Sequence, residues 1–304
     1  MSTRVVVTGG TGFVGRALVE QLVARGDEVV VLGRTAGDPR TPAGAKSLAW
    51  TPTRDGPWGD VVDGAGAVVH LAGDPVMGGR WTAEKKRRIF DSRVESTRAL
   101  VAAMTRARVR PPVFVCASAV GYYGPRAPLE EVDEDTAPGG DFLSSVCRAW
   151  EAEAVAAESL GVRVVRARVG IVLGRGGGAL AEMLPAFRGF VGGPVGSGEQ
   201  VLPWVHLADA VGLLLLAIDD GSLAGPLNLT SPNPVSMRAF ATELGRVLRR
   251  PSALRVPPFL LKAALGEAAQ ALLTGQRALP RRALAAGYRF RFDDLHAALV
   301  DAAG

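Results

Sequence analysis

Thr8-Gly9-Gly10-Thr11-Gly12-Phe13-Val14-Gly15 carries three glycines at the spacing G-x-x-G-x-x-G. Between a strand and a helix, each glycine of that spacing has a task. The first permits a tight exit from the strand, the second lets the main chain approach a pyrophosphate, and the third lets the helix pack closely on the strand. A helix starting near Gly12 turns its free N–H groups and the positive end of its dipole towards that diphosphate. Gly9, Thr11, Gly12, Phe13, Val14 and Gly15 are therefore expected to hold a dinucleotide. The end of the following strand selects the cofactor. A carboxylate there would bind a ribose 2′-hydroxyl, whereas an arginine would pair with a 2′-phosphate. The chain has Leu32-Gly33-Arg34, nineteen residues beyond Gly15, and the nearest acid, Asp38, lies four residues further on. Gly33 and Arg34 point to NADP(H).

Other reactive side chains are scattered. His206 and Asp209 open a helix after Trp204. His206, with an ordinary pKa near 6.5, suits acid or base work at a substrate, or else makes a structural hydrogen bond. Asp209 in the first helical turn reads as structural. The glycine-rich stretch 192–198, with Gly196 as its contact residue, is expected to wall a substrate cleft or to form a plain surface loop. Arg93 lies on a helix that flanks the switch point of the sheet and is placed to reach the cofactor. Arg166 and Arg168 leave a strand near the ligand end and either meet an anion or cap carbonyls. His70, inside an apolar strand, reads as a core histidine. Two cysteines, Cys116 and Cys147, cannot make a disulfide framework, and three scattered histidines offer no metal site.

Alternating elements position these groups. Arg4 to Thr8 is a continuous apolar strand; Phe13 to Ala24 places Val14, Leu18 and Leu22 at helical spacing, and Gly26 stops it. Glu28 to Leu32, Ala67 to Ala72, Pro112 to Cys116 and Val162 to Ala167 read as further strands. Thr82 can cap a helix to about Thr105, and a second long helix runs from Phe142 to Leu160. Repeated βα units imply a parallel sheet covered on both faces. After about Gly174 the alternation weakens. Helices are read over Leu207 to Ile218, Met237 to Arg249 and in the tail from Pro257, with an extended piece at Gly287-Tyr288-Arg289-Phe290. The fold expected is α/β, a doubly wound parallel sheet (Rossmann) with a smaller C-terminal substrate lobe. The core is residues 1–174; residues 175–304 form mainly the lobe, with strands able to return to the core.

The chain has 304 residues, 48% of them apolar, enough for a large core. Its net charge is +5 and its pI about 9.7. The basic residues are spread along the chain and only four are lysines, so they read as solvated surface and not as a nucleic-acid footprint. The longest apolar run, Val211 to Ile218, is too short to span a bilayer, and Met-Ser-Thr-Arg is no signal peptide. A cytoplasmic protein is expected, with a small-molecule substrate and without nucleic-acid or membrane partners. The sequence leaves the oligomeric state open, a homodimer included.

The chain resembles the extended branch of the short-chain dehydrogenase/reductase superfamily. The glycine turn at 8–15 is similar to that branch's nucleotide turn. Val69-His70-Leu71-Ala72-Gly73 is similar to its fourth-strand motif, which implies that Leu71, Ala72 and Gly73 line the adenosine side. Ala117-Ser118-Ala119-Val120-Gly121-Tyr122-Tyr123-Gly124 resembles the active-site serine segment. More narrowly, the chain resembles an atypical nucleoside-diphosphate-sugar epimerase-like subfamily. The strings that carry this likeness are Leu71-Ala72-Gly73-Asp74-Pro75, Arg80-Trp81-Thr82, Ser92-Arg93, residues 192–198, Trp204 to Asp209 and Gly275-Gln276-Arg277-Ala278-Leu279-Pro280.

One departure matters. Active members of the superfamily pair a tyrosine with a lysine four residues later, on one helix face, so that the phenol's pKa falls from about 10 towards neutrality. Here the helix reads Asp141-Phe142-Leu143-Ser144-Ser145-Val146-Cys147-Arg148, and Tyr-x-x-x-Lys occurs nowhere in the chain. Cys147 stands where the lysine would be, flanked by apolar residues as inert packing usually is. Two readings follow. In one, the chain is an NADP-dependent oxidoreductase or epimerase-like enzyme acting on a polar, sugar-like substrate, with Ser118 and Tyr122 or Tyr123 holding the reacting oxygen. In the other, it is a non-catalytic NADP(H)-binding sensor.

Overall fold

The computed structural model describes residues 3–52 and 56–303. Seven strands form one parallel sheet: β1 (Arg4–Thr8), β2 (Glu28–Gly33), β3 (Lys46–Ala49), β4 (Ala67–His70), β5 (Val113–Ala119), β6 (Arg163–Val169) and β7 (Gly225–Leu229). Their spatial order is β7-β6-β5-β4-β1-β2-β3. The order reverses between β1 and β4, so a crevice opens there at the carboxyl ends of the strands. β1 pairs with β2 from Arg4↔Glu28 to Thr8↔Leu32, and with β4 from Val5↔Ala67 to Thr8↔His70.

The longest helices are α1 (Phe13–Ala24), α2 (Ala83–Arg106), α3 (Phe142–Val155), α4 (Gly178–Arg188), α5 (Leu207–Asp219) and α6 (Met237–Leu248), and shorter ones follow in the tail from Pro258. Strand periodicity decides which face each residue serves. Val5 and Val7 pack with Leu18 and Leu22 of α1 and with Leu213 and Leu214 of α5. Val6, Val68 and Phe114 pack with Leu100 and Met104 of α2 and with Trp150 of α3. A third core gathers Leu180 and Phe187 of α4, Phe240 and Leu244 of α6, Trp204, and Leu299 of the last helix, Leu295–Ala303.

The α2 boundaries follow from local chemistry. Thr82 accepts from Lys85 N–H at 3.1 Å and caps the helix, which runs to Arg106. Phe142 begins α3 as expected, but the α-helix ends at Val155 and a 3₁₀ turn carries the chain on to Leu160. After residue 174 the chain comes back to the sheet: α5 lies beside α1, and β7 forms the sheet edge against β6. The Gly287–Phe290 stretch is irregular, not a strand. It is tied down by Asp209, whose carboxylate accepts from the N–H groups of Arg291 and Phe292 at 2.7 and 2.9 Å.

Candidate active site

The glycine turn lies at the switch point. Gly9 has φ +71° and would meet Leu71 and Ala72 main chain with any side chain. Gly15 is held closer still, since a methyl there would lie 2.1 Å from the Gly9 oxygen. Gly12 differs: only the Gly9 oxygen, at 3.2 Å, neighbours the space a methyl would take. It is the N-cap of α1, with no side-chain cap and no acid in the first turn. Helix geometry leaves the N–H groups of Phe13, Val14 and Gly15 without intrahelical acceptors. The rings and branches of Phe13 and Val14 turn into packing with Val205 and Leu207, so what these two residues offer a ligand is main chain.

β4 is locked beside the turn. Thr8 Oγ1 lies 2.6 Å from His70 Nδ1, and Ser96 Oγ lies 2.9 Å from His70 Nε2. His70 is wholly buried, and burial lowers its pKa to about 3, so it is a neutral core histidine as the sequence suggested. Leu71 N–H donates to Thr8 O and Ala72 N–H to Thr8 Oγ1, which fixes the 71–73 segment along the crevice. At the end of β2, Arg34 is exposed and in no ion pair among the described residues. The nearby Asp38 is engaged by Arg40, through Nη2 at 2.7 Å and Nε at 3.0 Å.

Arg93 reaches the crevice from α2. Its guanidinium lies over Gly73, whose added methyl would be 3.0 Å from Cζ. Nη1 donates to the carbonyls of Ile89 and Asp74, and the group stands 5.1 Å from the Trp150 ring centre. No carboxylate pairs with it among the described residues.

The serine segment is tied into a buried polar network. Ser118 is 3% exposed and donates its hydroxyl to Glu151 Oε1 at 2.7 Å. Glu151, on α3, also holds Arg168 through Nε at 2.8 Å and Nη2 at 3.0 Å, and Arg166 at 3.4 Å. Both strand-end arginines thus answer a buried carboxylate that sequence reasoning had overlooked. Tyr123 is wholly buried, donates to Asn228 Oδ1 at 2.7 Å and accepts from Arg168. Burial pushes its pKa up to about 12, the wrong direction for proton exchange near neutrality. Tyr122 stacks on the Arg168 guanidinium, 3.5 Å from the ring centre. Cys147 is buried, and burial raises its pKa to about 11, which makes it packing and not a nucleophile.

A cavity of about 170 Å³ opens beside this segment, lined by Gly121, Leu143, Ile171, Met183, Met237 and Gln276 among others. Leu143 and Cys147, four residues apart on one face of α3, both stand beside Gly121 of the serine segment. Three of the quoted strings meet at this cavity: Gly121 from the serine segment, Val195 from the glycine-rich stretch, and Gly275 with Gln276. Gln276 Nε2 donates to Gly124 O at 2.9 Å, which ties the tail to the serine segment. Gly196 makes the turn beside Val195 and lies under Leu273. His206 lies elsewhere. Its Nδ1 accepts from Ala208 N–H as the N-cap of α5, Nε2 faces Asp301 at 3.2 Å, and it borders a separate cleft with Gln21 and Arg175. The structure therefore shows the structural hydrogen bond that the sequence left open for His206, and places the residue on a cleft apart from the cavity beside Gly121. A larger hollow of about 410 Å³, bordered by Asp63 and Arg108, lies at the amino ends of the strands, away from this chemistry.

Residues 5–229 match the model of the NAD dependent epimerase/dehydratase family, and residues 256–302 match a domain of unknown function. The chain belongs to the epimerase/dehydratase family. Within it, the chain is 43% identical over 291 residues to the chloroplastic epimerase family protein SDR39U1 homolog of Arabidopsis thaliana, covering 95% of this chain and 83% of that one. It is 36% identical over 300 residues to epimerase family protein YfhF of Bacillus subtilis, covering 97% and 96%. The crystal structure of human epimerase family protein SDR39U1 (isoform 2) with NADPH superposes with a TM-score of 0.88 at 37% identity, covering 99% of both chains. These epimerase-family likenesses run end to end.

Proposed function

We propose that this epimerase-family chain binds NADP(H) at the switch point and a compact, largely apolar molecule in the cavity beside it, without a phenol-and-ammonium proton relay. The observation that carries the reading is the uncapped, acid-free start of α1 behind Gly12, with Arg34 exposed and in no ion pair among the described residues. The open space at Gly12 suits the close approach of a diphosphate, and the NADPH-bound human relative supports the same cofactor. When bound, a nicotinamide cofactor supplies hydride chemistry. In this chain the N–H groups of Phe13, Val14 and Gly15 would hold the diphosphate and Arg34 the 2′-phosphate. Leu71, Ala72 and Gly73 would border the adenosine side, and Arg93 supplies a further cation to the crevice.

The cavity argues against a sugar nucleotide as its ligand. At about 170 Å³ it is smaller than the roughly 300–1,000 Å³ of sites for drug-sized ligands, and its walls are mostly aliphatic, with Asp141, Thr274 and Gln276 as the polar side chains. The hydroxyls of Ser118 and Tyr123 are bonded to Glu151 and Asn228, and the Tyr122 ring lies against the Arg168 guanidinium, so among the described residues no phenol-and-ammonium pair faces the cavity. This favours the binding or sensing reading over proton-coupled turnover. The presence of the cavity supports a second reading, an oxidoreductase whose proton comes from solvent.

Calorimetry with NADPH and NADH tests the first part, with NADPH expected to bind at least tenfold more tightly. Equal affinity or no heat refutes it. Incubation with NADPH and a panel of carbonyl compounds, followed by absorbance of the reduced nicotinamide, tests the second. Epimerisation of nucleotide sugars, measured by chromatography, would overturn the apolar-ligand reading.

A further inference from the structure

Although single basic residues are spread along the chain, their excess is not. Residues 238–262 hold six cations against one carboxylate, which equals the whole net charge of +5. The remainder of the chain is balanced. In space this stretch lies against the segment that follows α4. Arg250 stands 4.5 Å from the Phe190 ring centre, Val195 bridges to Val256, and a methyl on Gly193 would meet Leu254 main chain.

Large apolar side chains point outward from the same place. Phe190, Val191 and Leu254 are 57%, 56% and 56% exposed. Among the described residues, Phe190 and Arg249 are also the two non-glycine positions at positive φ, 64° and 54°. A bulky side chain in that region is strained, and strain tends to gather where a segment has work to do. Here Phe190, at positive φ, holds its ring beside the guanidinium of Arg250, the residue after Arg249. Arg188 and Arg249 have no acidic partner among the described residues.

We propose that this surface docks the protein peripherally on an anionic lipid bilayer, with Phe190, Val191 and Leu254 entering the headgroup region and Arg188, Arg249 and Arg250 meeting lipid phosphates. Exposed apolar tips rimmed by cations match the two forces that hold peripheral proteins on membranes. The tips lie on a turn and irregular segments, and none of them lines a described cavity, which suits a deformable bilayer better than a folded partner. No helix among the described residues is long and apolar enough to cross a membrane, so the contact is with the surface. The proposal revises the expectation that the chain has no membrane partner, and it is independent of the dinucleotide site.

Co-sedimentation of the full chain with phosphatidylcholine vesicles, and with vesicles containing about one-third phosphatidylglycerol, tests it. Binding is expected to the anionic vesicles only and to fall as salt rises. The pair Arg249→Glu and Arg250→Glu is expected to weaken binding at least ~10-fold, as about fivefold per arginine implies. The pair Phe190→Ser and Leu254→Ser should weaken it comparably. These side chains are exposed, and an unchanged Tm and NADPH affinity show that the variants are folded. No sedimentation at low salt overturns the proposal. So does equal binding to heparin that survives Phe190→Ser and Leu254→Ser, because the surface would then be a plain polyanion site.

Discussion

Gly12→Ala and Gly15→Ala introduce the same methyl group three residues apart, and the structure assigns them opposite consequences. At Gly15 the methyl would lie 2.1 Å from the Gly9 oxygen, 2.8 Å from its carbonyl carbon and 3.0 Å from Gly10 Cα. All three neighbours are main chain and cannot rotate away. Overpacking of that kind costs about 3 kcal/mol. At about 2 °C per kcal/mol for a chain of this size, Tm should fall by about 6 °C. At Gly12 the methyl meets only the Gly9 oxygen at 3.2 Å, and φ −80°, ψ 174° is open to alanine. The loss there is that of a glycine N-cap, about 0.5 kcal/mol, or about 1 °C. That methyl nevertheless fills the approach to the free amides of α1, and NADPH affinity should drop at least ~30-fold, about 2 kcal/mol. Thermal melts without ligand and calorimetric titration with NADPH read the two effects separately. Equal Tm losses, or a Gly12→Ala protein that binds NADPH normally, would refute the assignment of one glycine to packing and the other to the ligand.

Arg34→Ala should weaken NADPH by about 5- to 30-fold and NADH less than twofold in paired titrations, since one charge-assisted contact to a phosphate is worth about 1–2 kcal/mol at an exposed site. Glu151→Gln should cost about 3–5 kcal/mol in denaturant melts, because it strips Arg168 of its buried counter-charge. Ser118→Ala should cost about 1.5–3 kcal/mol, because the hydroxyl donates to the buried Glu151 carboxylate; a Ser118→Ala protein that keeps its Tm but loses NADPH affinity would show that the hydroxyl serves the ligand. The folded pKa of His70, about 3, lies below its unfolded value near 6.5. Its contribution is therefore complete above pH 6.5 and is lost as pH falls towards 3. Between pH 6.5 and 5 the wild type should lose about 2 kcal/mol more than His70→Asn, and parallel slopes would count against a neutral buried ring.

Local interactions made the N-terminal half legible. Val5-Val6-Val7, the glycine turn, the Thr82 cap and the apolar spacing of α1 each act within a few residues, so type and spacing suffice to read strand, turn and helix. The missing Tyr-x-x-x-Lys pair was equally readable, because that relay depends on two positions one helical turn apart. What escaped was set by contacts between residues distant in sequence. The polar edge strand β3 has no apolar signature, and β7 joins the sheet through β6 more than fifty residues upstream. Glu151 carries no local signal in the sequence, yet folding buries it between Ser118 and Arg168, where it accepts from both. The cap that His206 makes to Ala208 is local, but its second ring nitrogen meets Asp301 only because the last helix packs beside α5. Patterns repeated along the backbone carry the architecture, whereas the state of a polar side chain depends on which far-off partners share its burial, and only the assembled fold supplies those.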